Sequence, residues 1–188
     1  MKESFMRYLL IFSPALLVLG IASCSAPGVQ SPGGMVGQAA SLPTLPNIEG
    51  GEVSLEDLFQ NRSKGDPPNF LLLVNSHSKC DVTPKFLNAL CEVWDDFEAL
   101  KCHCACVVLE KEGAPAEVWK EYAKPDLLIC RDPGGRCLDF YAKKQMPALT
   151  LVNRSGTMVF HCEGYLDPKT LAKKIKTGDF TEAKTTSG

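Results

Sequence analysis

An apolar run that ends in a single thiol and restarts as a helix constrains this chain more than any other feature. Leu71-Leu72-Leu73-Val74 is continuously hydrophobic, with neither helical nor alternating spacing. A short run of this kind, bounded by polar residues, reads as a strand buried on both faces. The chain then passes through Asn75-Ser76-His77-Ser78-Lys79 to Cys80, and Asp81-Val82-Thr83 leads to Pro84. Proline is favoured at the first position of a helix. Beyond it Leu87, Leu90, Cys91, Trp94 and Phe97 recur at spacings of three and four, which predicts an amphipathic helix over 84–100. A thiol just ahead of such a terminus meets free backbone N–H groups and the positive end of the helix dipole, both of which favour thiolate over thiol. Lys79 adds a neighbouring cation. Cys80 is therefore the expected nucleophile, and the expected chemistry is redox.

The rest of the chain alternates strands with helices. Residues 69–75, 104–109 and 126–130 read as buried strands, 115–124 as a short helix, and 132–135 as a turn leading into a helix through 144. Residues 148–153 and 157–163 form a hairpin around Arg154-Ser155-Gly156, and 168–176 close as a helix. This order predicts an α/β fold whose central sheet is mixed, with helices flanking it.

With Cys80 at the first strand-to-helix junction, that order resembles the thioredoxin-like fold. Two further features carry the resemblance: the entry segment from Leu45-Pro46-Asn47 through Ser54-Leu55-Glu56-Asp57-Leu58, and the Met146-Pro147 pair before the hairpin. Together they resemble the redoxin branch, which includes membrane-tethered thioredoxin-like reductases and peroxidases. The resemblance implies that Pro147 is a cis proline packed beside the active thiol. Its usual Cys-x-x-Cys motif is here Cys80-Asp81-Val82-Thr83, so the second, resolving thiol is replaced by a hydroxyl. Thr83 either donates a hydrogen bond to the sulfur or caps the helix. The string Val74-Asn75-x-x-Ser78-Lys79-Cys80-x-x-Thr83-Pro84 also resembles the peroxidatic segment of cysteine-type glutathione peroxidases. That family adds a glutamine, a tryptophan and an asparagine around the thiol. Here no glutamine occurs between Cys80 and Gln145, and Met146-Pro147-Ala148 stands where the family writes Trp-Asn-Phe.

The N-terminus reads as an export signal. Lys2 and Arg7 precede an apolar run from Tyr8 to Gly20, about right for a signal-peptide core and short for a span of roughly 20 residues. Ile21-Ala22-Ser23-Cys24 resembles a bacterial lipobox, which implies removal of residues 1–23 and a lipid on Cys24. Ser25, not an acidic residue, follows, and by resemblance to enterobacterial sorting this implies the outer rather than the inner membrane. Residues 24–42 are expected to be a flexible tether, 43–178 the folded domain in the periplasm, and 179–188 a polar tail. The net charge of −2 and the absence of a basic stripe exclude nucleic acid as an expected partner.

Setting Cys24 aside leaves eight of the nine cysteines, and eight cysteines can pair in about a hundred ways. Cys91 reads as a small core residue. Cys102, Cys104 and Cys106 share a strand face if pairing begins at 102, and residues two apart on a strand lie about 6.8 Å apart, too far to pair readily with one another. Cys130 and Cys137 flank the Pro133-Gly134-Gly135 turn and are the expected resolving pair or second disulfide. No metal site and no cofactor are expected. The favoured reading is an envelope-anchored thiol–disulfide oxidoreductase acting on protein thiols or disulfides through Cys80, with Lys79, Thr83 and Pro147 assisting. The alternatives are a glutathione-peroxidase-like thiol peroxidase and a non-catalytic binding module on the same scaffold.

Overall fold

The computed structural model describes residues 35–60, 67–109, 116–123, 127–142 and 145–180. The expected signal segment, Cys24 and the tail from 181 lie outside the described residues. A short hairpin comes first, β1 (Thr44–Pro46) against β2 (Glu52–Ser54), followed by α1 (Asp57–Gln60). The apolar run forms β3 (Phe70–His77), which leads into α2 (Val82–Glu92) and α3 (Trp94–Ala99). Then come β4 (Cys102–Leu109), a 3-10 helix (Ala116–Tyr122), β5 (Leu127–Arg131), α4 (Arg136–Tyr141), β6 (Ala148–Asn153), β7 (Met158–Glu163) and α5 (Pro168–Thr177).

Five strands make one mixed sheet in the order β5-β4-β3-β6-β7. The strands β3, β4 and β5 run parallel, while β6 and β7 are antiparallel to their neighbours. Successive side chains of a strand point to opposite faces. On one face Leu72, Val74, Cys102, Cys104, Cys106, Leu149 and Cys162 pack with Phe86, Leu87, Leu90, Trp94 and Phe97 of α2 and α3 and with Leu171 and Ile175 of α5. On the other, Leu71, Leu73, Ala105, Val107 and Cys130 pack with Cys137 and Tyr141 of α4 and with Leu45 and Leu55 of the N-terminal segment. The central strands are covered on both faces, which is why their sequence is continuously apolar.

Strand and helix bounds shift by one to three residues (β3 runs to His77, β4 starts at Cys102, α4 ends at Tyr141), and three larger departures from the sequence reading stand out. The helix expected over 84–100 begins two residues earlier and breaks at Val93, whose N–H bonds Leu90 O and whose φ/ψ of −116°/23° is not helical. Pro84 is thus the third helical residue, where its missing N–H would have no intrahelical partner anyway. The expected tether is folded from Met35 onward. Met35 is buried, and Gly37 N, Ala40 N and Gln38 O bond Met158 O, Gly156 O and Met158 N at the start of β7. Tyr141 Oη donates to Ser41 O at 2.6 Å. Farther on, Ile48 N bonds Ile129 O and Asn47 bridges Cys130, so the same segment also lines the outer side of β5. At the other end Phe180 packs against Phe160, beyond the expected limit of the domain.

A pH dependence follows from His161 on β7. Its Nδ1 lies 2.9 Å from Thr150 Oγ1, while Nε2 is buried with no partner among the described residues. Burial pushes its pKa below the ordinary histidine value, with the Glu163 carboxylate opposing in part. The unfolded chain therefore takes up the proton first, and stability falls as pH drops below about 6.5. Denaturant midpoints between pH 7.5 and 5.5 should fall more steeply for the parent than for His161→Gln; equal slopes would remove this assignment.

Candidate active site

The strand register gathers the site at one edge of the sheet. Ala148 lies opposite Asn75 and Glu163 opposite Ala148, so the loop from β3 to Cys80, Pro147 and the end of β7 lie together. Cys80 immediately precedes Asp81, the N-cap of α2, which makes no side-chain capping bond. Its N–H bonds His77 O at 3.0 Å, and Ser78 N bonds Leu109 O at 3.1 Å, which closes the loop onto the ends of β3 and β4. Lys79 is exposed, and its backbone N–H donates to His77 Nδ1 at 3.2 Å. The Cys80 side chain is 9% exposed.

Thr83 is fully buried and does not cap the helix. Its hydroxyl lies 3.2 Å from Cys80 Sγ and 2.7 Å from the hydroxyl of Ser76, also fully buried, on β3. Each hydroxyl carries a single proton, so the order of donors along this chain depends on the sulfur. With a thiolate, Ser76 donates to Thr83 and Thr83 donates to Sγ. With a thiol, Cys80 donates to Thr83, Thr83 to Ser76, and Ser76 to His77 O, at 3.5 Å. Both charge states of the sulfur find a partner without movement of heavy atoms. Ser76 escaped the sequence reading. Its only signal is a small hydroxyl in the polar Asn75-Ser76-His77 end of β3, on the face that carries Val74.

Met146-Pro147 is a cis peptide bond, and Pro147 O accepts from Gly164 N at 2.8 Å. Gly164 has a φ of +90°, a backbone conformation that side-chain-bearing residues rarely adopt and glycine takes freely. Gln145 N donates to Glu163 Oε2 at 3.1 Å. Next to Gly164, Tyr165 is exposed and packs edge-on against Phe86 of α2.

Asn75 points to the face opposite Ser76, and neither of its buried amide atoms has a partner among the described residues. Both tryptophans, Trp94 and Trp119, belong to the core under α2. All eight described cysteines are thiols. Cys130 and Cys137 share the core on the α4 face, where Asp132 accepts from Arg136 N and Cys137 N and so holds the start of α4.

No family model and no curated protein matches the chain. Solved structures do. A thiol:disulfide interchange protein DsbE of Chlorobium tepidum superposes with a TM-score of 0.62 at 20% identity, covering 76% of this chain and 96% of that one. The fold is thioredoxin-like. The exposed lipoprotein thioredoxin of Streptococcus pneumoniae aligns at a TM-score of 0.58 and 17% identity, over 73% of this chain and 99% of its own. A thiol:disulfide interchange protein from a Bacteroides species gives 0.58 and 17%, over 80% and 93%. Within the thioredoxin-like fold, Cys80 stands where the first parallel strand meets its helix, and Pro147 opens the antiparallel half of the sheet. No helix of the described residues is long and apolar enough to cross a membrane.

Proposed function

We propose that the chain is a thiol–disulfide oxidoreductase of the bacterial cell envelope, held to a membrane through a lipid on Cys24, with Cys80 as its nucleophile. The observation that carries this reading is the Thr83 hydroxyl 3.2 Å from Cys80 Sγ, itself backed by Ser76. A hydrogen bond to a charged sulfur favours the nucleophile in attack and the leaving group in release. The Cys80 thiolate attacks one sulfur of a substrate disulfide, the S–S bond breaks, and the other substrate sulfur leaves as thiolate. A mixed disulfide remains on Cys80. Pro147, on the same sheet edge, shapes the surface against which an extended substrate segment lies, and Lys79 keeps the approach electropositive. The envelope location draws support from the lipobox-like Ile21-Ala22-Ser23-Cys24 and from an exposed lipoprotein among the similar structures.

Reduction of insulin by dithiothreitol, followed by turbidity, tests the proposal. The parent is expected to accelerate it and Cys80→Ala to show only the uncatalysed rate. An inactive parent that instead consumes hydroperoxide at the expense of a dithiol would replace this reading with the peroxidase.

A further inference from the structure

We infer that the thiol which releases the Cys80 mixed disulfide comes from outside the fold, so that the chain transfers a sulfur-bound group between soluble thiols rather than resolving it internally. This rests on Cys80 being the nucleophile.

The placement of the other described thiols supports it. Cys130 and Cys137 lie in the core on the α4 face, and the sheet separates them from α2 and Cys80. Cys106, Val74, Leu149 and Cys162 form one row across the sheet. That row is two residues deeper than Ser76, and two residues along and one strand across put Cys106 roughly 8 Å from the Ser76 backbone. Cys106 shares that sheet face and lies within electrostatic range of Cys80, so it is the internal thiol whose cystine with Cys80 the test below looks for. Cys104 and Cys102 are deeper still along β4. Cys91 is nine residues into α2 from Val82, about 13 Å along the axis. Burial also keeps the interior thiols protonated. It raises Cys102, Cys130, Cys137 and Cys162 to about 12, and lifts Cys104 and Cys106 as well. Burial thus disfavours their thiolates, and only the thiolate attacks.

The transfer balances without further reactants. After Cys80 has taken R–S from a disulfide R–S–S–R′ and released R′–S⁻, an outside thiolate G–S⁻ attacks the R sulfur, because Cys80 Sγ is largely covered. The Cys80–R disulfide breaks, G–S–S–R leaves, and Cys80 returns as thiolate under Thr83. The outside thiol has been oxidised and Cys80 reduced. A low-molecular-weight thiol and the exposed cysteine of a reducing protein share this chemistry.

The test loads the full chain with oxidised glutathione, removes the excess, and follows intact mass and disulfide-mapped peptides. The expected result is one glutathionyl group on Cys80 that persists for hours in buffer and is released within minutes by reduced glutathione or a reduced dithiol protein. Whichever acts identifies the source; release by neither overturns the inference. So does spontaneous loss of glutathione with an internal cystine that includes Cys80. Absence of any adduct on Cys80 sinks the nucleophile assignment itself, and this inference with it. Thr83→Cys supplies the control, because it places a sulfur where the hydroxyl now sits. It should shed glutathione at least tenfold faster than the parent in plain buffer, with a Cys80 cystine appearing. If it holds its adduct as long as the parent does, shelter of the bond explains the persistence and the inference fails.

Discussion

Replacing Thr83 with valine is expected to slow attack of Cys80 on disulfides by roughly four- to twentyfold at constant pH. A hydrogen bond to a charged group contributes about 1.5–3 kcal/mol, and a little over half of that reaches the rate, because a better-stabilised thiolate is also a weaker nucleophile. Valine keeps the branched shape of a fully buried side chain, so packing against α2 changes little, and Ser76 can still turn its proton to His77 O. The loss should therefore appear in rate and not in the melting temperature. Thr83→Ser keeps the donor and should restore most of the rate. The measurement is the second-order rate of Cys80 with a small disulfide and, independently, with iodoacetamide. Parent rates for Thr83→Val would reduce Thr83 to a packing residue.

The largest effect on stability is expected at Phe86. This ring is fully buried in the core beneath α2, and it carries Tyr165 edge-on at a centroid distance of 6.4 Å. Truncating a buried phenylalanine to alanine costs about 3–5 kcal/mol, through lost transfer free energy and the cavity left behind. A domain of this size typically has only about 5–15 kcal/mol in total. Phe86→Ala should lower the thermal midpoint by roughly 10–15 °C. It should also loosen the Tyr165 side of the site, because α2 and the segment after β7 meet at this ring. A midpoint within a few degrees of the parent would show that neighbouring side chains collapse into the space.

The strand-to-helix junction was legible because opposite demands meet there. The Leu71–Val74 run has to be buried, a helix has to start near Pro84, and a lone sulfur sits between them. The cis form of Pro147 followed from resemblance alone; nothing in Met146-Pro147 as a dipeptide demands it. What stayed hidden depends on register. Ser76 meets Thr83 only once β3 and α2 are docked. The fate of each cysteine was equally closed, since sheet face, and not sequence distance, decides which thiols can meet. Cys106 and Cys130 occupy adjacent strands yet point to opposite faces. The break at Val93 carries no glycine or proline to announce it. The order from Met35 to Leu42 was masked by small, uncharged residues that resemble a linker in composition, although their backbone N–H and C=O groups pair with β7.

That pairing has a consequence for solubility. An outermost strand with free amides is a template onto which any extended chain can add. In this protein the stretch before β3 works as a clasp: residues 37–40 pair with Gly156–Met158 at the start of β7 and residues 47–48 with Ile129 and Cys130 of β5, so both flanks of the sheet are partly covered. A version trimmed to begin at residue 43 would keep Cys80, Thr83 and Pro147 and still lose the pairing at the start of β7, leaving that flank more open to self-association.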